Sequence, residues 1–290
     1  MKLGTVFSHP QMGNDPAAWK DFAQAVEGAG FNHIVAAEHV AGGHPDRLAG
    51  VRVHTYEEVY HDPFVLFSYL AGVTSTIEFG TAILILPQRQ TFVVAKQAAD
   101  LDIVSNGRLR IGVGSGRNWM EYEVLGVPFE DRGRRMEEQV EVLRRLWTEE
   151  LVTYKGRYHD IDRMGINPLP VQRPIPIWMG SFTQVVEHVV KRIARVADGW
   201  IPQFPPNDDF RALMERFRGY AREAGRNPDD IAIECGARIT TDEDPEGWLS
   251  TAQAYKDIGA THLRCFVTGD VSIQQRIDLL TKWRETVAGV

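Results

Sequence analysis

The apolar positions of this chain form two patterns that alternate along its length. Short apolar runs are typical of strands buried on both faces, and apolar residues recurring every three or four positions are typical of one helix face. Eight such runs occur, at residues 3–7, 31–37, 77–86, 109–113, 177–180, 198–201, 231–239 and 262–267. Their alternation with helical segments predicts an α/β fold with a parallel sheet, and eight units predict a TIM (β/α)8 barrel.

Polar residues mark where several of the predicted helices begin. Asp15-Pro16 and Asp62-Pro63 each combine a residue that caps a helix N-terminus with a proline suited to the first turn. Apolar residues then follow at helical spacing, as with Phe22 and Val26 after the first start. The pattern predicts that these helices bury one face against the sheet.

The predicted elements leave no linker, so we expect a single domain over residues 1–290 with loop insertions. Residues 40–61 form a long polar loop, which is typical of functional or mobile segments. Residues 152–161 predict a small hairpin that follows a helix and precedes a strand, and we expect it at the end of the barrel opposite the site, as a structural or oligomer contact. An open doubly wound sheet is the competing architecture.

Composition narrows the classes of partner. The net charge is -7 and the basic residues form no stripe, which argues against nucleic acid as a ligand. No run approaches the ~20 apolar residues of a membrane span, and the first residues lack a hydrophobic signal core. Cys235 and Cys265 lie in separate apolar runs and are predicted to be buried free thiols. We therefore expect a cytoplasmic protein that binds neither nucleic acid nor membrane.

A glycine-rich turn ends the fourth predicted strand. Gly112, Gly114 and Gly116 occupy every second position, and Arg117 stands where a dinucleotide-binding fingerprint would have its last glycine. This spacing argues against a nicotinamide-type site. Two interpretations stay open: the glycines allow close packing, or the bare backbone from Gly114 through Ser115 to Arg117 receives an anionic cofactor group.

Candidate catalytic side chains follow the second predicted strand. In a (β/α)8 barrel, the chemistry lies at the carboxyl ends of the strands, and Glu38 and His39 occupy that position. An imidazole that titrates near neutral pH suits proton transfer, although a histidine at a strand end can also be purely structural. Glu38 can face away from His39, because side chains alternate along a strand.

Other charged residues near these strand ends receive simpler interpretations. His44, His54 and His61 lack the spacing of metal ligands, so no metal site is predicted. Glu121, Glu123 and residues 132–135 are interpreted as solvated charges that flank helices.

Six segments of the chain form a recognisable set of motifs. They are FGTAILILP at 79–87, AKQAADLD at 95–102, SNGRLRIGVG at 105–114, the helix at 132–147, PIPIWMG at 174–180 and ADGW at 197–200. Together they resemble the bacterial luciferase-like family of flavin- and deazaflavin-dependent oxidoreductases. The resemblance covers residues 1–205 well and the remainder more loosely. It implies a barrel that holds a planar flavin or deazaflavin ring at its mouth, with His39 near the reactive ring.

The resemblance also implies positions for the cofactor. The ring would rest on Thr81 and Ala82, where family members often carry a cis peptide, so a bulge or cis bond is expected within residues 80–82. The phosphate would meet the ends of the fourth and fifth strands. The residues assigned to cofactor binding are therefore Thr81, Ala82, Gly114, Ser115, Gly116, Arg117, Gly180, Ser181, Phe182 and Thr183.

The subgroup that this chain most resembles uses the deazaflavin coenzyme F420. The resemblance therefore implies hydride transfer between F420 and a small organic substrate, with His39 as a catalytic residue. Glu38, which precedes it at the end of the strand, is the second candidate catalytic residue. An FMN-dependent monooxygenase that uses O2 and a partner reductase is one alternative, and a non-catalytic flavin-binding protein is another. We expect a homodimer, a small-molecule substrate and a flavin or F420 reductase as possible partners.

Overall fold

The computed structural model describes residues 1–47, 54–182, 184–242 and 244–290. Its strands, in chain order, are β1 (Lys2–Val6), β2 (His33–Ala36), β3 (Glu78–Thr81), β4 (Leu84–Ile85), β5 (Leu109–Gly114), β6 (Val152–Lys155), β7 (Asp160–Met164), β8 (Ile177–Gly180), β9 (Gly199–Ile201), β10 (Ala232–Ile239) and β11 (His262–Val267). Its helices are α1 (His9–Met12), α2 (Pro16–Gly28), α3 (Pro63–Ala71), α4 (Thr91–Val104), α5 (Trp119–Val124), α6 (Arg132–Thr148), α7 (Glu187–Val196), α8 (Asp208–Glu223), α9 (Pro245–Ile258) and α10 (Ile273–Thr286).

The large sheet confirms the predicted TIM-barrel fold. Its strand order is β3-β2-β1-β11-β10-β9-β8-β5-β4, and a further pairing of β3 with β5 closes it. Parallel pairs such as β1 with β2 and β10 with β11 set the register. The predicted third strand is divided into β3 and β4, so nine segments make up eight barrel strands.

The division of the third strand coincides with a cis peptide bond between Ala82 and Ile83. The irregularity expected within residues 80–82 therefore lies one bond later, directly after Ala82. A continuous strand over residues 77–86 was the wrong expectation, because β3 ends at Thr81 and β4 begins at Leu84.

The chain divides into two compact units. One contains Met1–Ala36, Thr76–Gly80 and Trp178–Val290, and the other contains Ala37–Ser75 and Thr81–Ile177. We refer to them as the first and second unit. A single domain over residues 1–290 stays a prediction.

The helix starts follow the predicted capping chemistry. The Asp15 side chain accepts a hydrogen bond from the Ala17 backbone N–H at 3.0 Å, and Asp62 accepts one from Phe64 N–H at 2.9 Å. These bonds satisfy backbone donors that have no partner inside the helix. Cys235 and Cys265 are buried free thiols, as predicted.

The predicted hairpin forms from β6 and β7. It begins beside the last turn of α6, at the expected end, where Arg145 donates to the Thr153 carbonyl at 3.1 Å, but its tip does not stay at that end. His159 in the connecting turn lies 2.6 Å, Nε2 to Oγ1, from Thr91, the first residue of α4. The Glu138 carboxylate on α6 accepts hydrogen bonds from the backbone N–H groups of Arg157, Tyr158 and His159. Because α4 follows the third strand, its first turn lies toward the carboxyl end of that strand, and the hairpin tip reaches the same end.

Within the described residues, no helix is both long enough and apolar enough to cross a membrane.

Candidate functional site

A cavity of about 340 Å³ lies in the second unit, beside the chain that leaves β2. Its size falls within the range of small-molecule sites in proteins. The lining residues are Glu38, His39, Val40, Tyr60, Asp62, Gln88, Arg89 and Leu125. Glu38 and His39 lie beyond Ala36, where β2 ends, so strand alternation no longer separates their side chains and both line the cavity.

The His39 imidazole is held by a buried carboxylate, that of Glu121. His39 Nδ1 lies 3.3 Å from Glu121 Oε2, and the Val40 backbone N–H donates to Glu121 Oε1 at 2.9 Å. Glu121 is 1% exposed. An imidazole that donates from Nδ1 to a carboxylate presents Nε2 as its remaining acceptor. The pair therefore resembles the base and orienting carboxylate of enzymes that transfer protons through histidine.

Glu121 was expected to be a solvated charge, and this expectation is wrong. Asn118 caps α5 through a hydrogen bond from Met120 N–H, and this short helix carries Glu121 inward to the chain after β2. His39 and Glu121 are 82 positions apart in the sequence, so no local sequence pattern predicts their contact. The predicted polar character of Glu123 is correct, since it pairs with Arg47 at 2.7 Å on the exposed side.

The surroundings of Glu121 favour its ionised form. Burial acts to raise the pKa of this carboxyl, but the hydrogen bond and charge of His39, together with the Ala41 N–H and His54, hold the pKa below its ordinary value. A carboxylate that stays ionised is suited to orient His39 and to stabilise its protonated form.

His54 supports the other side of the His39 ring. The two ring centroids are 3.6 Å apart and the planes are inclined by 29°. His54 Nε2 donates to the Ala41 carbonyl at 2.6 Å. Burial lowers the pKa of His54, and the nearby His39 adds to this effect, so the neutral form of the ring is favoured. The His54 ring therefore packs against one face of the candidate base.

Three groups of this cluster offer ligand atoms close enough for a metal ion. One atom each from His39, His54 and Glu121 lies within 4.8 Å of the others. A metal ion lies in the plane of each imidazole that binds it, along the nitrogen lone pair. His54 Nε2 is engaged with the Ala41 carbonyl, whereas its buried Nδ1 has no hydrogen-bond partner among the described residues. The predicted absence of a metal stays a prediction.

Glu38 lies in a buried network of charges at the cavity wall. Its carboxylate accepts from the Ile85 backbone N–H and from Arg89 Nε, both at 2.6 Å. Arg89 Nη2 also donates to Asp62 at 2.6 Å. Burial raises the pKa of Glu38 against the opposing effect of Arg89. Two carboxylates neutralise this guanidinium, so the cavity wall carries no free positive charge from Arg89.

The residues expected beneath a cofactor ring occupy the break in the third strand. Thr81 is 2% exposed, and its hydroxyl donates to the Gly112 carbonyl on the neighbouring strand at 2.7 Å. Ala82 and Ile83 are partly exposed on either side of the cis bond. Thr81 therefore serves the packing of the strand, while Ala82 and Ile83 present accessible surface.

In the glycine-rich turn, neighbouring side chains occupy the space that a Cβ at Gly114 or Gly116 would need. A Cβ at Gly114 would lie 2.6 Å from Ile83 Cδ1, and one at Gly116 would lie 2.8 Å from Ile85 Cγ2. Gly116 also has a φ of +61°, which favours glycine. Close packing accounts for both glycines, while Ser115 is partly exposed and Arg117 is exposed. The backbone of Ser115 and the Arg117 side chain are the accessible part of this turn.

Two buried amide side chains near these segments escaped the sequence analysis. Asn118 is 2% exposed, and its Nδ2 has no hydrogen-bond partner among the described residues. Gln88 is 6% exposed, and neither atom of its amide group has a partner there. In native structures an ordered water, an ion or a ligand completes buried polar atoms that have no protein partner. These two amide groups therefore fit the polar groups of a cofactor or substrate.

The remaining predicted cofactor residues belong to the first unit. Ser181 Oγ accepts a hydrogen bond from Trp200 Nε1 at 2.9 Å, and Gly180 ends β8. Phe182 is 50% exposed. Thr183 lies outside the described residues. A cofactor role for this segment stays a prediction.

The ionised Glu121 predicts how stability depends on pH. A carboxyl whose pKa is lower in the folded than in the unfolded chain stabilises the fold above the unfolded value of about 4.3. That contribution is lost as the pH falls through the lower folded value. The difference in unfolding free energy between wild type and Glu121→Gln should therefore shrink from pH 7 toward pH 3, as measured by urea unfolding. A difference that grows on acidification would contradict the assignment.

Comparisons with known proteins place the chain in a family. The sequence profile described as luciferase-like monooxygenase matches residues 1–281. An uncharacterized protein of Mycobacterium tuberculosis is 31% identical over 234 residues, covering 78% of this chain and 80% of that protein. An F420-dependent glucose-6-phosphate dehydrogenase of Kineococcus radiotolerans is 28% identical over 273 residues, covering 90% and 74%.

A solved structure shares the fold. An F420-dependent secondary alcohol dehydrogenase in complex with an F420-acetone adduct matches with a TM-score of 0.81 and 17% identity, over 99% of this chain and 98% of that one. The resemblance predicted from the motifs is confirmed by the profile match over nearly the whole chain. The chain belongs to the luciferase-like monooxygenase family.

Proposed function

We propose that this protein is an oxidoreductase that transfers a hydride between the deazaflavin F420 and a small organic substrate bound in the cavity beside His39. The observation that carries the proposal is the contact of His39 Nδ1 with the buried carboxylate of Glu121, which leaves His39 Nε2 for the cavity. F420, when bound, supplies or accepts the hydride, and the protein supplies orientation and proton transfer.

His39 acts as the proton donor or acceptor toward the substrate oxygen in this proposal. Glu121 orients the ring and stabilises the imidazolium that forms when Nε2 takes a proton. The His54 ring covers one face of the His39 ring, and Tyr60 makes a T-shaped contact with His39 at a centroid distance of 4.7 Å. These contacts hold the ring in one orientation, which proton transfer requires.

Glu38 takes a positioning role here. Both of its oxygens are engaged, one by Ile85 N–H and the other by Arg89. It therefore ties the chain after β2 to β4 and keeps His39 at the cavity. The accessible Ala82 and Ile83 would support the cofactor ring, and Ser115, Arg117 and the Asn118 amide would face its polar groups.

The choice of F420 rests on the relative from Kineococcus radiotolerans, whose name specifies F420 dependence. The family description names monooxygenases. The alternative to test against the F420 proposal is therefore an FMN-dependent enzyme that consumes O2. A homodimer, a partner reductase and a cytoplasmic location stay predictions. We also propose that residues 40–61 cover the bound substrate, because this loop is long and polar and leaves the strand that precedes His39; its residues 48–53 lie outside the described residues.

The proposal is tested by titrating the protein with F420 and with FMN under the same conditions. We expect F420 to bind more tightly, and Arg117→Glu to weaken its binding about tenfold, because the variant places a negative charge near an anionic group. The matched control is Arg163→Glu on β7, where the native side chain is 75% exposed. Tighter binding of FMN together with O2 consumption would replace the proposal by the monooxygenase, and equal effects of both variants would remove Arg117 from the cofactor site.

A further inference from the structure

Gln88 is the one cavity-lining residue whose whole polar group lacks a partner among the described residues. Its Oε1 and Nε2 are both buried without a hydrogen bond, although the side chain lines the cavity. Burying an amide without hydrogen bonds costs free energy. In native proteins an ordered water, an ion or a ligand completes such a group, and Gln88 lies at a cavity of ligand size.

The backbone around Gln88 is held on both sides. Gln88 ends a 3-10 helical turn that runs from Leu86 through Pro87. The Arg89 N–H donates to the Leu86 carbonyl at 3.0 Å, and Gln139 Nε2 donates to the Arg89 carbonyl at 2.9 Å. Pro87 also restricts the backbone, because a proline ring fixes φ. The backbone that carries the Gln88 side chain is therefore held in place. Such preorganisation lowers the entropic cost of binding.

The charges around Gln88 limit the ligand. Among the lining residues, Glu38 and Asp62 carry negative charge and Arg89 is engaged by both. A carboxylate or phosphate ligand would meet this excess of negative charge, and would offer acceptors only. The Gln88 amide has a donor and an acceptor side by side, and a ligand must present the reverse pair to satisfy both.

We propose that Gln88 recognises an uncharged ligand group in which an N–H lies beside a carbonyl, as in a lactam or a cyclic imide. Two parallel hydrogen bonds then join the ligand to Oε1 and Nε2. This inference rests on the proposed function, because it names the recognition chemistry of the same cavity. Two sources supply this chemistry, namely the substrate and the imide edge of a deazaflavin or flavin ring.

The probes are 2-piperidone, which has the N–H beside its carbonyl, and N-methyl-2-piperidone, which lacks the N–H. We expect the wild-type protein to bind the first at least about tenfold more tightly, in a ligand-observed NMR titration without cofactor. Gln88→Met keeps the length of the side chain and removes its polar atoms, so this preference should disappear. Equal binding of both probes to the wild-type protein would overturn the proposal.

Thermal unfolding separates a binding role from a structural one. Gln88→Met should leave the Tm unchanged or raise it by about 1–3 °C, because no hydrogen bond is lost. The control is Gln139→Met, which removes hydrogen bonds from Nε2 to Arg89 and Thr91 and should lower the Tm. A fall in Tm for Gln88→Met as large as that of the control would show that Gln88 is structural, contrary to the proposal.

Cofactor titrations then identify the source of the ligand. If 2-piperidone still binds to protein saturated with F420, and Gln88→Met leaves F420 affinity unchanged, the amide belongs to the substrate. If F420 excludes 2-piperidone and Gln88→Met weakens F420 binding about tenfold, the amide is the ring edge of the cofactor. A protein that prefers 2-piperidone but binds neither F420 nor FMN retains the Gln88 site and overturns the proposed function instead.

Discussion

Replacing His39 by alanine is expected to slow hydride transfer by about 10²–10⁴-fold, the usual contribution of a positioned acid or base. The affinity for the cofactor should stay within about threefold, because His39 contacts Glu121, His54 and Tyr60 rather than the break in the third strand. Single-turnover kinetics with F420 measure the chemical step directly, and a cofactor titration measures binding separately.

Three variants separate the contributions to this effect. His39→Gln keeps a hydrogen-bonding group but cannot titrate, so it should restore positioning without proton transfer. Glu121→Gln keeps the acceptor for Val40 N–H but removes the charge, and its effect on rate should not add to that of His39→Ala, since the two residues act as one unit. His188→Ala, at an exposed position of α7, controls for the loss of an imidazole. Normal turnover per folded molecule in His39→Ala would contradict the catalytic assignment.

The elements of the fold could be predicted because their signals are local. Asp15 and Asp62 cap the helices that they were predicted to start, since the cap and the first turn are neighbours in sequence. Each buried strand is likewise predicted by the apolar run that forms it. The order and closure of the strands follow from the rules for parallel α/β chains.

The parts of the site that escaped prediction depend on distant contacts. The sequence around Glu121 is typical of a surface charge. Its role as an orienting carboxylate depends on its contact with His39, which lies 82 positions away in the sequence. The hairpin tip was misplaced because chain order alone does not tell how far a hairpin extends along the barrel, whereas His159 contacts Thr91. Gln88 carries no sequence signal either, since its unpaired amide is visible only when its surroundings are known.

A second large effect is expected in the first unit, where Gly4 on β1 lies opposite His33 on β2. A methyl group at Gly4 would overlap the His33 imidazole. His33 and Glu234 are both fully buried, and His33 Nε2 lies 2.8 Å from Glu234 Oε1. The ring can move away only by breaking this pair, and a buried pair that loses its partner costs about 3–5 kcal/mol. Gly4→Ala should therefore lower the unfolding free energy by about that amount.

The control for Gly4→Ala is the same substitution at Gly219, within α8. A Cβ there meets nothing within 4 Å, and alanine is favoured over glycine inside a helix by about 0.5–1 kcal/mol. Gly219→Ala should therefore stabilise the protein while Gly4→Ala destabilises it, as measured by urea unfolding of both variants. The double variant Gly4→Ala/His33→Ala should be less destabilised than the sum of its single changes, because removing the imidazole also removes the overlap. A Gly4→Ala protein as stable as the wild type would mean that His33 does not fill the space beside Gly4, and the buried pair with Glu234 would then need a different arrangement.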